Sequence, residues 1–377
     1  MKALDYFTGN LNNYLRELQE LTEIETPTGH LDNLGVAADY LKQHFEKHTR
    51  LRRQDLPDHG PLLHAVREGS DTRILLLAHY DTVWPIGSWN TLWRVEGGRA
   101  YGPGVYDMKG GLLFILWLLR FLEATGSDHP HLEILLTPDE EIGSPGTRPY
   151  IEEAARGSDL ALVLEPSNLD GHLKLARKGS GEYVISIHGR ATHQGVEPEH
   201  GINAVVEAAH KVLQLLEFED LEAGTTVGPN VIDGGTASNM VPDRAEIRVD
   251  VRAWTVAETE RLDAAIRALE PSIEGAQIHI FGGWNRPPME ATQASLDFFE
   301  GARAVGKTVG LDIDWVPWGG SSDANIAASV GTPTVDGFGP IGGGAHRIDE
   351  FVVIDEIPRR MALLAEIVGS LTALTGD

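Results

Sequence analysis

Short apolar runs punctuate the first half of the chain. Residues 74–78, 132–137 and 160–164 are each bounded by polar residues or by Gly and Pro. Runs of this length and makeup read as strands buried on both faces. A further strand is expected at 332–338. Residues 111–124, between the first two runs, read as a helix. Near the N-terminus, Leu11, Tyr14, Leu15, Leu18 and Leu21 fall on one helical face, which makes that segment an amphipathic helix. Buried strands alternating with helices predict an α/β sheet with helices covering both faces.

The pattern changes in the middle of the chain. Residues 182–189 alternate, with Tyr183, Ile185 and Ile187 on one face. Residues 243–254 alternate too: Ala245, Ile247, Val249 and Val251 point one way, and Arg244, Glu246, Arg248, Asp250 and Arg252 the other. Residues 202–216 and 257–269 are helical in period, and 225–233 and 277–281 are extended. The order β-α-β-β-α-β is the split unit of ferredoxin-like folds. Turn residues at Gly179-Ser180-Gly181 and Arg286-Pro287-Pro288 mark its ends. The chain is therefore expected to have two domains. Residues 1–179 and 288–377 form an α/β sheet domain, and 180–287 form an inserted ferredoxin-like domain. An open sheet of this kind often pairs with a second copy, so a homodimer is expected.

Length and composition fit this plan. The 377 residues are 42% hydrophobic and 23% charged, which is enough apolar material for two packed cores. Fifty-six acidic residues against 31 Lys and Arg give a net charge of −25. Such a chain repels phosphate backbones and anionic lipid, so neither nucleic acid nor a membrane is an expected partner. The N-terminal stretch lacks the apolar core of a signal peptide, and a cytoplasmic protein is expected. With no cysteine in the chain, any metal must be held by oxygen and imidazole.

Chemistry concentrates behind the strands. His79 and Asp81 follow residues 74–78, Glu140 and Glu141 follow 132–137, and Glu165 ends 160–164. Asp107 lies in a glycine-rich loop, and His346 in the run Gly342-Gly343-Gly344-Ala345-His346 past the fourth strand. The carboxyl ends of parallel strands are where α/β sheets build their sites. Carboxylates gathered there repel one another by about 4 kcal/mol per pair at ~4 Å and an effective dielectric of about 20. They call for cations. Imidazole and carboxylate without sulfur suit zinc, with cobalt or manganese as substitutes. Taken singly, each residue has an ordinary explanation: a strand-end pair, a solvated turn, a helix cap or a loop histidine.

These segments resemble the co-catalytic zinc aminoacylase/carboxypeptidase family, which includes glutamate carboxypeptidase, acetylornithine deacetylase and succinyl-diaminopimelate desuccinylase. The resemblance rests on His79-Tyr-Asp81-Thr-Val, Gly102-Pro-Gly-Val-Tyr-Asp107-Met-Lys-Gly-Gly111, Thr137-Pro-Asp-Glu140-Glu141-Ile-Gly143, Glu165-Pro and Gly344-Ala-His346. It extends into the inserted domain through the segment ending His193-Gln-Gly195, through Ser238-Asn239-Met-Val-Pro242 and through Asp250-Val-Arg252. The motifs look most like those of bacterial glutamate carboxypeptidases.

The resemblance implies two zinc ions bridged by Asp107, with His79 and Glu165 completing one site and Glu141 and His346 the other. It implies that Asp81 accepts from the free nitrogen of His79 and that Glu140 is the general base toward a water activated by both ions. His193, from the partner subunit, would stabilise the oxyanion. Arg252, with Asn239, would hold the free carboxylate of a small peptide or N-acyl amino acid. For His193 and Arg252 a solvated side chain is the competing reading. The activity implied is a metallohydrolase that cleaves an amide next to an amino acid with a free carboxylate, foremost a carboxypeptidase. The alternatives are an N-acyl-amino-acid deacylase and, from another class, a non-catalytic metal-dependent binding protein for amino-acid conjugates.

Overall fold

The computed structural model describes residues 1–371, which divide into two compact units. The first comprises Met1–Leu175, Ala291–Pro317 and the chain from Ser322 onward, and the second comprises Ala176–Glu290 with Trp318–Ser321.

A six-stranded mixed sheet forms the centre of the first unit. Its spatial order is Arg50–Leu56, Gly60–Arg67, Pro130–Thr137, Ser70–His79, Leu160–Val163, Thr334–Val335. The last four strands are parallel, and the first two add an antiparallel hairpin at one edge. Register aligns the strand ends. His79 pairs with Thr137, and Leu77 pairs with Val163. Three strands therefore end at nearly the same level, and the loops that leave them start side by side.

The helix Gly110–Thr125 is buried along most of its length and packs with Ala3–Thr22 and Ile357–Ser370. Its apolar residues join Phe7, Tyr14, Leu18, Leu76 and Leu162 in one core. The N-terminal helix buries Phe7, Tyr14, Leu18 and Leu21, while Leu11 and Leu15 are only partly covered. Gly111 is required where the buried helix begins: a Cβ there would lie 1.9 Å from the carbonyl oxygen of Leu164. The helix start can thus approach the end of the strand that delivers Glu165.

The second unit is a four-stranded antiparallel sheet in the order Thr226–Gly234, Arg244–Ala253, Gly179–His188, Gln277–Arg286. Helices Ala204–Leu216 and Val256–Arg267 interleave with the strands in sequence. Its core joins Tyr183, Ile185, Ile187, Ala245, Ile247, Val249 and Val251 with Leu262 and Ile266 of the second helix. The alternation along the central strands thus separates a buried face from a polar one. Among the described residues no helix is long and apolar enough to cross a membrane.

Candidate metal centre

Asp107 sits in a loop that its own backbone hydrogen bonds hold in place. Gly104 takes a φ of 77° to turn the chain, a conformation that favours glycine. The backbone N–H groups of Tyr106 and Asp107 donate to Glu350 Oε1 at 2.9 Å each. Gly104 N–H donates to Glu350 Oε2 at 3.2 Å, and Trp84 Nε1 donates to the same oxygen at 3.3 Å. Glu350 is fully buried, and burial pushes its carboxyl up to about 7.

The Asp107 carboxylate stands between two imidazoles. Its Oδ1 lies 3.2 Å from His79 Nε2, and its Oδ2 lies 3.5 Å from His346 Nε2. Each imidazole meets a second carboxylate: Glu165 Oε1 is 3.6 Å from His79 Nε2, and Glu141 Oε2 is 3.2 Å from His346 Nε2. Glu140 stands slightly back, with Oε2 4.0 Å from His79 Nε2.

Asp81 ties these parts together from behind. His79 Nδ1 lies 3.3 Å from Asp81 Oδ1 and 3.1 Å from the Asp81 carbonyl oxygen. Both are acceptors, so the proton belongs on Nδ1, which leaves Nε2 turned to the carboxylates. The same Asp81 carboxylate accepts the backbone N–H of Glu140 at 3.2 Å and of Glu141 at 3.1 Å. Thr28 Oγ1 donates to it at 2.7 Å. One buried side chain thereby orients His79 and both glutamates.

His346 reaches the cluster from the loop between the paired strands Gly342–Gly343 and Phe351–Val353. Its φ of 60° is unusual for a residue other than glycine. The side chain is half-exposed, whereas His79, Asp81, Glu140 and Glu165 are buried.

Charge balance tests what the cluster can hold. Burial alone would lower His79, yet its hydrogen bonds to Asp107 and Asp81 and the charge of Glu140 raise it well above the usual imidazole range. Hydrogen bonds to Asp107 and Glu141 lift His346 to about 11. Burial works to raise Asp107, but the two imidazoles hold it well below the usual carboxylate range. For Glu141 burial prevails over the pull of His346, and its carboxyl is raised. Even with both imidazoles protonated, the five carboxylates of Asp81, Asp107, Glu140, Glu141 and Glu165 outnumber the cations beside them in a largely buried cluster. Uncompensated charge of this kind is costly. The donors also meet the spacing a metal needs: one ligand atom each from His79, Glu140 and Glu165, and one each from His79, Asp107 and Glu141, lie within 4.8 Å of one another. The residues present fit divalent cations.

The remaining expected site residues lie in the second unit. His193, in the strand Thr192–His193, pairs with Met240, and Gln194 N–H donates to the Asn239 carbonyl at 2.9 Å. One short ribbon therefore carries both His193 and Asn239, and both are exposed. Gly195 N–H donates to His193 Nδ1 at 3.1 Å, which leaves Nε2 to carry the proton. Arg252 lies on the strand Arg244–Ala253 and forks onto Asp250, with Nε–Oδ1 at 3.0 Å and Nη2–Oδ2 at 2.8 Å. It is already ion-paired within its own strand.

Two supporting carboxylates have roles that the sequence does not assign, although the segment Ser321-Ser322-Asp323 resembles a substrate-contacting loop of the family. Glu350 anchors the Asp107 loop, and its only signal was an acidic residue four places after His346. Asp323, in the Ser321-Ser322-Asp323 segment, is buried and accepts from Thr137 Oγ1 at 3.1 Å and from Ser144. It braces the loop that carries Glu140 and Glu141.

An α/β sheet with imidazoles and carboxylates gathered at its strand ends is an arrangement that suits a metal-dependent enzyme. The chain belongs to the peptidase family M20/M25/M40, whose family model matches residues 75–370. It is 32% identical over 376 residues to carboxypeptidase G2 of Pseudomonas sp. (strain RS-16), covering 95% of this chain and 89% of that one. It is 27% identical over 328 residues to succinyl-diaminopimelate desuccinylase of Dechloromonas aromatica, covering 81% and 85%. In fold it is similar to an M20 family metallo-carboxypeptidase from Sulfolobus solfataricus, with a TM-score of 0.76 at 18% identity over 94% of this chain and 98% of that one. The protein is a metallopeptidase or amidohydrolase of this family.

Proposed function

We propose that the protein is a dinuclear zinc enzyme that cleaves an amide next to an amino acid with a free carboxylate, releasing that amino acid as a carboxypeptidase of the glutamate carboxypeptidase type does. The observation that carries this reading is the division of Asp107. One of its oxygens faces His79, which is near Glu165, and the other faces His346, which is near Glu141. Asp107 with His79 and Glu165 would hold one ion, and Asp107 with Glu141 and His346 the other. Cobalt or manganese suits the same donors. When bound, the ions polarise the amide carbonyl and make water a better nucleophile.

The chain's own residues do the rest. Asp81 fixes the His79 tautomer and sets the peptide that places Glu141 toward the ions and Glu140 beside them. Glu140 takes the proton of the attacking water and delivers it to the leaving nitrogen. His193 donates from Nε2 to the developing oxyanion. It does so from the ferredoxin-like unit of a second subunit, and the homodimer forms through that unit's edge. The strand Thr226–Gly234 is an edge strand there, with Val231 and Ile232 exposed. Arg252 swings from Asp250 to fork onto the substrate carboxylate, with Asn239 alongside.

Deacylation of an N-acyl amino acid is the second reading, supported by the likeness to desuccinylases. Metal analysis of the purified protein, followed by turnover of N-acyl-glutamates, dipeptides and acetylornithine, tests both. Release of glutamate from a peptide or acyl conjugate is expected. Turnover of acetylornithine alone would overturn the carboxypeptidase reading. A cytoplasmic enzyme is part of the same proposal, and cell fractionation tests it.

A further inference from the structure

A cavity of about 200 Å³ lies between the hairpin side of the six-stranded sheet and the helix Arg148–Arg156. Register builds its sheet wall. Arg52 pairs with His64, Gln54 pairs with Leu62, and His64 in turn pairs with Leu135. Paired residues on adjacent strands share a face, so Arg52, Gln54 and His64 are set side by side. Tyr150, Glu153 and Ala154 line the helix wall, and their i, i+3, i+4 spacing puts them on one face of that helix. None of these residues belongs to the His79–Asp107–His346 cluster.

The polar groups of the cavity fall into two kinds. Glu133 is committed: His64 Nε2 lies 3.0 Å from its Oε1, and Arg73 Nη2 donates to its Oε2 at 3.3 Å. Gln54 Nε2 donates to the Tyr150 hydroxyl, which leaves the phenol proton to be donated elsewhere. Arg52 and Glu153 are both exposed, and among the described residues neither side chain has a hydrogen-bond or ion-pair partner. A cation from the strand and an anion from the helix therefore line one small cavity without pairing. The rest of the lining is apolar, with Leu62, Leu135 and Ala154 buried.

Each charge rejects one class of ligand. A simple anion would meet Glu153, and a simple amine would meet Arg52. A molecule that carries both a carboxylate and an ammonium satisfies the two together. The volume falls below the roughly 300–1,000 Å³ of sites for drug-sized ligands, which restricts the occupant to the size of one amino acid. We propose that this cavity binds a free α-amino acid with a small aliphatic side chain, its carboxylate on Arg52, its ammonium on Glu153 and its side chain against Leu62, Leu135 and Ala154. The proposal uses no residue of the metal cluster and does not depend on the hydrolase reading.

L-Valine tests it, titrated calorimetrically into the metal-loaded full chain. Two analogues accompany it: isovalerate, which lacks the ammonium, and isobutylamine, which lacks the carboxylate. Saturable binding of L-valine with a dissociation constant of roughly 1 mM or tighter is expected, with either analogue at least about tenfold weaker. Arg52→Gln and Glu153→Gln, both at exposed positions, should each weaken L-valine by about tenfold or more, with melting temperature and metal content unchanged. The analogue series reads the wild type alone, so the test does not hinge on either variant folding. No saturable binding of L-valine, or equal binding of either analogue, would overturn the proposal. Wild-type affinity in either variant would overturn it too, by placing the amino acid elsewhere, such as at the metal cluster.

Discussion

The backbone N–H of Asp107 donates to Glu350 at 2.9 Å, across 243 positions of sequence. The residue that stands between two imidazoles is thus anchored by a buried carboxylate from the loop that carries one of them. Both Glu350 oxygens are acceptors, each for two donors. Glu350→Gln turns an amide NH₂ toward one of those pairs. The expected result is a loss of about 2–3 kcal/mol in stability and a 10–100-fold weaker hold on metal. Thermal melting and metal titration measure the two effects, and wild-type values in both would show that the anchor is idle.

Asp107→Ala removes the carboxylate that stands between the two imidazoles. If Asp107 bridges two ions, the variant should lose most of both rather than one, and added zinc should not restore turnover. Elemental analysis after gel filtration gives the stoichiometry. A full pair of ions in the variant would refute the bridge.

Glu140→Gln separates the roles of two adjacent glutamates. Glu141 faces His346 at 3.2 Å, while Glu140 lies 4.0 Å from His79. Loss of a positioned general base costs about 10²–10⁴-fold in rate, so turnover should fall by that much while metal content stays at the wild-type level. Should metal leave as well, Glu140 is a ligand and the assignment is wrong.

Much of this arrangement was legible in the sequence because strand ends carry their chemistry in order. A run such as 132–137, short and bounded by polar and turn residues, reads as a buried strand, and the acidic residues that come after it then leave from its end. The alternation at 243–254 was equally plain, since the polar positions hold charges and the apolar ones β-branched residues or Ala. The hairpin Arg50–Leu56/Gly60–Arg67 was not legible. Its first strand, Arg-Leu-Arg-Arg-Gln-Asp-Leu, is an edge strand whose charges mask the period. The helix Leu31–Phe45 was hidden by an interior glycine at 35 and by Asp32 and Asn33 near its start. Glu350 left no trace because its role is to accept backbone N–H groups far away in sequence, and no local pattern records that. The Asp250–Arg252 pair is an i,i+2 contact on one strand face, and only the side-chain geometry shows that it forms.

Away from the His79–Asp107–His346 cluster, Glu133 gives the fold an acid-sensitive tie. Burial would raise its carboxyl, but hydrogen bonds to His64 and the charge of Arg73 bring it below its ordinary value. His64 Nε2 lies 3.0 Å from Glu133 Oε1, and Arg73 Nη2 donates to Oε2 at 3.3 Å. A carboxyl with a depressed folded value stabilises the protein above its unfolded value, near 4.3, and that contribution is lost as pH falls through the folded one. Glu133→Gln should therefore cost about 1–2 kcal/mol at pH 7 and progressively less below about pH 4. Denaturant melts of both proteins across that range check the sign. A gap that widens in acid would contradict it.

His193 offers the sharpest test of the assembly. It is exposed on a two-stranded ribbon of the second unit, with Nδ1 taken by Gly195 N–H. If it donates to the oxyanion, His193→Ala should lower kcat by about 10²–10³-fold with little change in KM. If it does so across a dimer, the defect can be complemented. A dimer of one His193→Ala chain and one Glu140→Gln chain has one site that carries both lesions and one that carries neither. Random exchange between equal amounts of the two inactive variants should therefore return about a quarter of wild-type activity, since half the dimers are mixed and half their sites intact. Activity after mixing and partial denaturation, read against each variant treated alone, decides the matter. No recovery, with exchange verified by a size-tagged chain, would place His193 within its own subunit's site or outside catalysis, and the kcat of His193→Ala alone would tell which.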